Sequence, residues 1–188
     1  MLITSQHSFE ERGNDAYWTP PEATRALLQL EDLPKHVIDP ACGTGAILDV
    51  LSPHGHIVYG QDIVDYGWPG TVLQDYLTDD WGSRDHAIVT NPPFKLANQF
   101  IRKALADGVR YHAWLLRMNF VESLGRLPMF RGNPPARVHI SSRRLPMMHR
   151  HGWTGKKAGS NTCHAWFIWD QDSSDRGQMF WFDWKEFA

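Results

Sequence analysis

Short β-branched or apolar runs alternate with helix-like stretches, and this rhythm narrows the fold more than any other feature. The runs His36–Asp39, His56–Gly60, Thr71–Gln74, His86–Thr90, Tyr111–Arg117, Arg137–Ser142 and Cys163–Trp169 predict strands. Between the early ones, Pro21–Leu30, Gly45–Leu51 and Leu96–Leu105 carry helical apolar spacing. Pro20 and Pro21 suit a helix start, where a missing N–H costs nothing. Alternation of this kind predicts an α/β fold, a parallel sheet covered on both faces. Leu127–Pro135 and His149–Asn161, rich in Pro and Gly, read as loops. The 188 residues hold no internal repeat and predict one domain, residues 1–188, around a single core.

Composition excludes some functions and leaves others open. Apolar residues make up 42% of the chain and charged ones 21%, ordinary values for a globular protein. No apolar run approaches the roughly 20 residues a bilayer demands, so no membrane partner is expected. The first fifteen residues lack a basic flank, an apolar segment and a small-residue cleavage site, as a secretory signal would need. Two cysteines, Cys42 and Cys163, do not make a disulfide framework, and a cytoplasmic location is expected.

Net charge is -2, but it is segregated. Between Arg117 and Lys157 nine basic residues face one acid, Glu122, a local charge of +8. Arg137, Arg143, Arg144, Arg150, Lys156 and Lys157 are therefore candidate contacts to nucleic-acid phosphates. The other use for such side chains is to balance neighbouring acids.

The strand His36–Asp39 runs straight into Asp39-Pro-Ala-Cys-Gly-Thr-Gly45, where Gly43 and Gly45 allow a tight turn and a close ligand approach. A dinucleotide site would want a third small residue at position 48, which is Leu48. Asp39 would repel a phosphate but suits a cation. S-adenosylmethionine, with an ammonium, a sulfonium and no phosphate, fits that chemistry. Asp62, after the second strand, can accept two ribose hydroxyls, and Ile63 can pack on an adenine. Asp75, after the third, can accept from an adenine amino group.

The strand His86–Thr90 ends in Asn91-Pro92-Pro93-Phe94. An amino group on a heteroaromatic ring is a poor nucleophile because its lone pair is delocalised. Two acceptors on its N–H bonds can draw the nitrogen toward a tetrahedral shape and aim the lone pair. The Asn91 side chain offers one acceptor and the Pro92 carbonyl the other. Consecutive prolines stiffen the loop, and Phe94 offers a flat face for a planar substrate. This chemistry asks for neither metal nor general base.

With these motifs in this order, the sequence resembles the class I, Rossmann-like methyltransferases that act on amino groups and carry an (Asn/Asp)-Pro-Pro-(Tyr/Phe) tetrapeptide. It is similar to small phage- or prophage-type N6-adenine DNA methyltransferases, in which a motif matching Tyr17-Trp18-Thr19-Pro20 precedes the glycine turn. The resemblance implies that Tyr17, Thr19 and Pro20 help hold the methionine end of the cofactor and that Asp39 lies near its ammonium. It adds Ala41, Cys42 and Asn91 to the cofactor set of Asp39, Gly43, Gly45, Asp62, Ile63 and Asp75. It also implies a seven-stranded sheet in the order 3-2-1-4-5-7-6, with the last strand antiparallel. Sequence-specific members carry a separate target-recognition region, and these 188 residues leave no room for one. The expected activity is methylation of adenine N6 in DNA with little sequence readout. An RNA base, cytosine N4, a protein glutamine and a non-catalytic scaffold stand as alternatives.

Several features stay less specific. Trp166, Phe167, Ile168 and Trp169 are expected in the core, and Trp153 in a loop where it could stack on a base. The tail Phe180–Trp184 could cover an apolar face or form a dimer contact, so a homodimer or a protein partner stays open. His149, His151, Cys163 and His164 lack metal-ligand spacing, and no metal is expected.

Overall fold

The computed structural model describes residues 18–79, 85–147 and 162–187. Its strands are β1 (His36–Asp39), β2 (Ile57–Asp62), β3 (Val72–Leu73), β4 (Ala87–Thr90), β5 (Tyr111–Arg117), β6 (Arg137–Ser141), β7 (His164–Asp170) and β8 (Gln178–Phe182). The helices are α1 (Pro21–Leu30), α2 (Leu48–Leu51), α3 (Ala97–Ala106) and α4 (Leu127–Gly132). All eight strands join one sheet in the order β3-β2-β1-β4-β5-β7-β6-β8. β7 runs antiparallel to both β5 and β6, and every other pairing is parallel.

Period-two alternation along the strands explains the layers. Val37 and Leu115 face α1 and α2, packing with Ala23, Leu27 and Leu51. Their neighbours Ile38 and Leu116 face the opposite side, packing with Phe100, Ile101 and Ala104 of α3. β4 is buried along its whole length and β5 along all but its last residue, as strands covered on both faces must be. Trp166 and Phe167 extend the two faces onto β7, each fully buried, which makes them core as expected. Trp153 lies outside the described residues.

Two elements differ from the sequence expectation. Leu127–Gly132 forms a short helix rather than a loop, because Pro128 falls in its first turn and Met129 plugs into the core. Gln178–Phe182 adds an eighth strand, with Val138 opposite Met179 and Ile140 opposite Trp181. Its residues are exposed up to the last, so no alternation announced it. Among the described residues, no helix is long and apolar enough to cross a membrane.

Candidate functional site

At the carboxyl end of β1 the backbone turns through Asp39–Gly45. Asp39 Oδ1 accepts the Ala41 N–H at 3.1 Å, and the Cys42 N–H donates to the Gln61 carbonyl at 2.9 Å, tying the turn to β2. The Gly43 N–H donates to Asp62 Oδ2 at 2.9 Å, and Asp62 Oδ1 accepts the Val64 N–H at 3.1 Å. Both glycines have positive φ, +54° at Gly43 and +80° at Gly45.

The two glycines serve different neighbours. A Cβ on Gly43 would sit 3.1 Å from the Trp18 indole, which lies over the turn. A Cβ on Gly45 would fall 1.8 Å from Trp68, whose Nε1 donates to Asp49 Oδ1 at 2.9 Å. Gly45 was expected to make room for a ligand. The space beside it is filled by this indole, which also packs on Gly60.

A cleft opens above the strand ends. Thr19, Asp39, Ala41, Cys42 and Gly43 line it, together with Asp62, Ile63, Asp75 and the loop Asn91–Pro93. The ends of four strands, β1 to β4, and the N-terminal approach to α1 therefore converge on one space. Pro20 sits behind this wall as the N-cap of α1, its carbonyl accepting the Ala23 N–H. Tyr17 lies outside the described residues.

Sequence reasoning missed Trp18, Tyr66, Tyr76, Leu96 and Phe100, which supply much of the apolar wall. Trp18 and Tyr66 meet edge to face with ring centres 6.0 Å apart. Trp18 stands inside the Tyr17–Pro20 motif, so its position could have flagged it, whereas Tyr66 lies in a loop with no pattern of its own.

Electrostatics distinguish the groups. Asp39 is buried, and the loss of water pushes its carboxyl up to about 7. The nearby Asp62 charge adds to this, while the Thr90 hydroxyl and the Ala41 N–H oppose it. A carboxyl poised in this way gains strongly from a cation. Burial, and then the Asp39 charge, push the Cys42 thiol up to about 12, so it stays neutral and serves as packing.

β4 delivers Asn91, Pro92 and Pro93 to the same cleft, and the Pro93 carbonyl accepts the Leu96 N–H at 2.9 Å as the chain enters α3. Phe94, one residue on, is not part of this wall. Its ring lies 4.1 Å below the Arg117 guanidinium carbon.

The basic segment divides. Arg137 is bidentate on Glu31, with both contacts at 2.8 Å, and reaches Asp170 Oδ2 at 2.8 Å. His139 Nε2 and the Tyr111 hydroxyl also meet Glu31, at 2.6 and 3.0 Å. Arg137 thus balances acids inside the fold and leaves the expected phosphate-facing set, the correction its position on β6 brings. Arg143 pairs with Asp183 at 2.7 Å and is half exposed, while the Arg144 side chain is exposed. Arg150, Lys156 and Lys157 lie outside the described residues.

Sequence comparison finds no matching family model and no matching curated protein. Solved structures match by shape. The 23S rRNA methyltransferase ErmE is 13% identical over 86% of this chain and 71% of its own, with a TM-score of 0.57. The M protein of the type I restriction enzyme EcoKI is 14% identical over 87% of this chain, with a TM-score of 0.61. This chain spans 46% of that protein. SMU.472 in complex with SAH is 11% identical over 92% and 58%, with a TM-score of 0.53. The chain has the Rossmann-like methyltransferase fold.

Proposed function

We propose that the protein is an S-adenosylmethionine-dependent methyltransferase acting on an exocyclic amino group, foremost N6 of adenine in nucleic acid, with DNA ahead of RNA. The observation that carries this reading is the shared cleft. Asn91-Pro92-Pro93 and the three strand-end acids Asp39, Asp62 and Asp75 line one space.

The donor set suits the cofactor. Asp39 offers a buried carboxylate for an ammonium, and Asp62 keeps lone pairs for a ribose beside the Gly43 amide. Ile63, Asp75 and Leu77 would receive the adenine. Bound S-adenosylmethionine supplies a methyl group on a sulfonium, an excellent leaving group. The protein's own work is positioning. The Asn91 side-chain carbonyl and the Pro92 backbone carbonyl each take one N–H of the target amine, and the paired prolines fix both acceptors before the substrate arrives. The proton that the product no longer needs leaves to solvent after transfer. Exposed Arg143 and Arg144 would meet phosphates, which hold a strand in place and read little sequence.

The test is incubation of the protein with labelled S-adenosylmethionine and separate DNA, RNA and protein pools, followed by nucleoside and amino-acid analysis. Label in N6-methyladenine of DNA supports the full reading. Label only in RNA, cytosine N4 or glutamine redirects the substrate, and no transfer to any pool overturns it. Asn91→Ala should keep cofactor binding within a few-fold and lower turnover at least about a hundredfold.

A further inference from the structure

Phe94 directly follows Pro93, which lines the cleft, and three strands determine what its ring meets beside that space. The β5–β7 register sets Arg117 directly opposite His164, and the Met118 N–H donates to the Cys163 carbonyl at 2.9 Å one step beyond. Directly opposed residues project on the same side of a sheet. Arg117 and His164 therefore both reach the space over the end of β4. The guanidinium carbon of Arg117 stands 4.1 Å from the centre of the Phe94 ring, and the His164 ring centre lies 6.0 Å from it at 40°.

We propose that Arg117 is a positioning residue for the target base, a flat cationic plate that fixes the plane of Phe94 so that the base stacks on a ring already held in place. The proposal rests on the reading of Asn91–Phe94 as the loop that holds a planar amine. A guanidinium over an aromatic face is drawn to the negative π-cloud, and its planarity matches the ring. The contact spans β4 and β5, so the ring cannot turn without breaking it. His164 closes the flank without adding a second charge. It is buried, and burial together with the Arg117 charge holds its ring neutral. A lysine at 117 would keep the charge and lose the plate.

The test uses Arg117→Met, Arg117→Lys, Phe94→Leu and the Arg117→Met/Phe94→Leu double variant. The substrate is a single-stranded oligonucleotide carrying one adenine among thymines. Arg117→Met should raise KM for the oligonucleotide about tenfold, the scale of a desolvated cation–π contact, with cofactor Kd within about twofold. Arg117→Lys should recover only part of the loss. In the Phe94→Leu background, Arg117→Met should add little, because the plate has no ring left to hold. Additive losses, full rescue by lysine, or an unchanged KM in folded Arg117→Met each overturn the inference while leaving the catalytic reading standing. Should Arg117→Met fail to fold, Arg117→Lys decides alone, with an unchanged KM against it. Absence of methyl transfer to any nucleic acid by the wild-type protein removes the functional reading and this inference with it.

Discussion

The Asp62 carboxylate faces the cleft while accepting the Gly43 N–H at 2.9 Å, so one side chain both shapes the glycine turn and offers acceptors to a ligand. Removing it should cost twice, through the lost ligand contact and through a slackened turn. Asp62→Ala is expected to weaken S-adenosylmethionine binding by about 1–3 kcal/mol in calorimetry. Asp62→Asn, which keeps one carbonyl acceptor, should lose less. Unchanged affinity in a folded alanine variant would remove the assigned role.

Asp39 gives the site a pH dependence. With its carboxyl near 7 in the free protein, Asp39 is neutral below that pH and must lose a proton to meet an ammonium. Cofactor affinity should therefore fall as pH drops below 7, approaching about tenfold per unit, with proton release measurable in buffers of different ionisation heat. Stability moves the other way. A folded-state value above the unfolded one means that the free protein loses stability as pH rises from about 4 through 7. Asp39→Asn should flatten both curves, melting higher than wild type at pH 8 while binding the cofactor poorly.

The Trp68 indole makes Gly45 intolerant of a side chain. Gly45→Ala combines a left-handed φ of +80° with an overlap at 1.8 Å, and about 2–4 kcal/mol of stability should go with it. Adding Trp68→Ala should relieve the overlap but not the backbone strain. A double variant no more stable than Gly45→Ala alone in chemical denaturation would show that the packing assignment is mistaken.

Glu31 should matter to stability and Arg144 to binding. Glu31→Gln takes the carboxylate from between Arg137, which keeps Asp170, and His139, and a loss of about 1–3 kcal/mol is expected. Hydrogen bonds from His139 and Arg137 outweigh burial and hold the Glu31 carboxyl down at about 2. Its stabilisation is thus present above the usual carboxylate range and fades as pH falls toward 2. Arg144→Ala should reduce the salt dependence of nucleic-acid binding by about one charge, whereas Arg137→Met should leave that slope alone.

Much of this was legible because it is local. The bounds of α1, β1 and β5 match the sequence expectation residue for residue, since Pro20–Pro21, the glycine turn and a long buried run mark them in place. The strand-end acids and Asn91–Pro93 were legible for the same reason, as each directly follows a recognisable strand. What escaped depends on distant partners. Arg137 looks like any arginine of a basic segment until Glu31, 106 residues earlier, comes to lie against it. Trp68 has no signal to connect it to Gly45, and β8 carries apolar residues on both faces with nothing to indicate where it pairs.

The tie between α1 and the far half of the sheet has a consequence for how the protein is made. α1 carries Thr19 into the cleft, yet it is anchored by Glu31 to β6 and by the Trp166 indole, whose N–H donates to the Ala23 carbonyl at 2.9 Å. A chain emerging from the ribosome presents Ala23 of α1 143 residues before Trp166. α1 must wait for β6 and β7 before it can dock, so the nascent chain gains a closed cleft only after Trp166 has been made. Truncated translation products should accordingly fail to retain the cofactor even when every strand-end acid is already present.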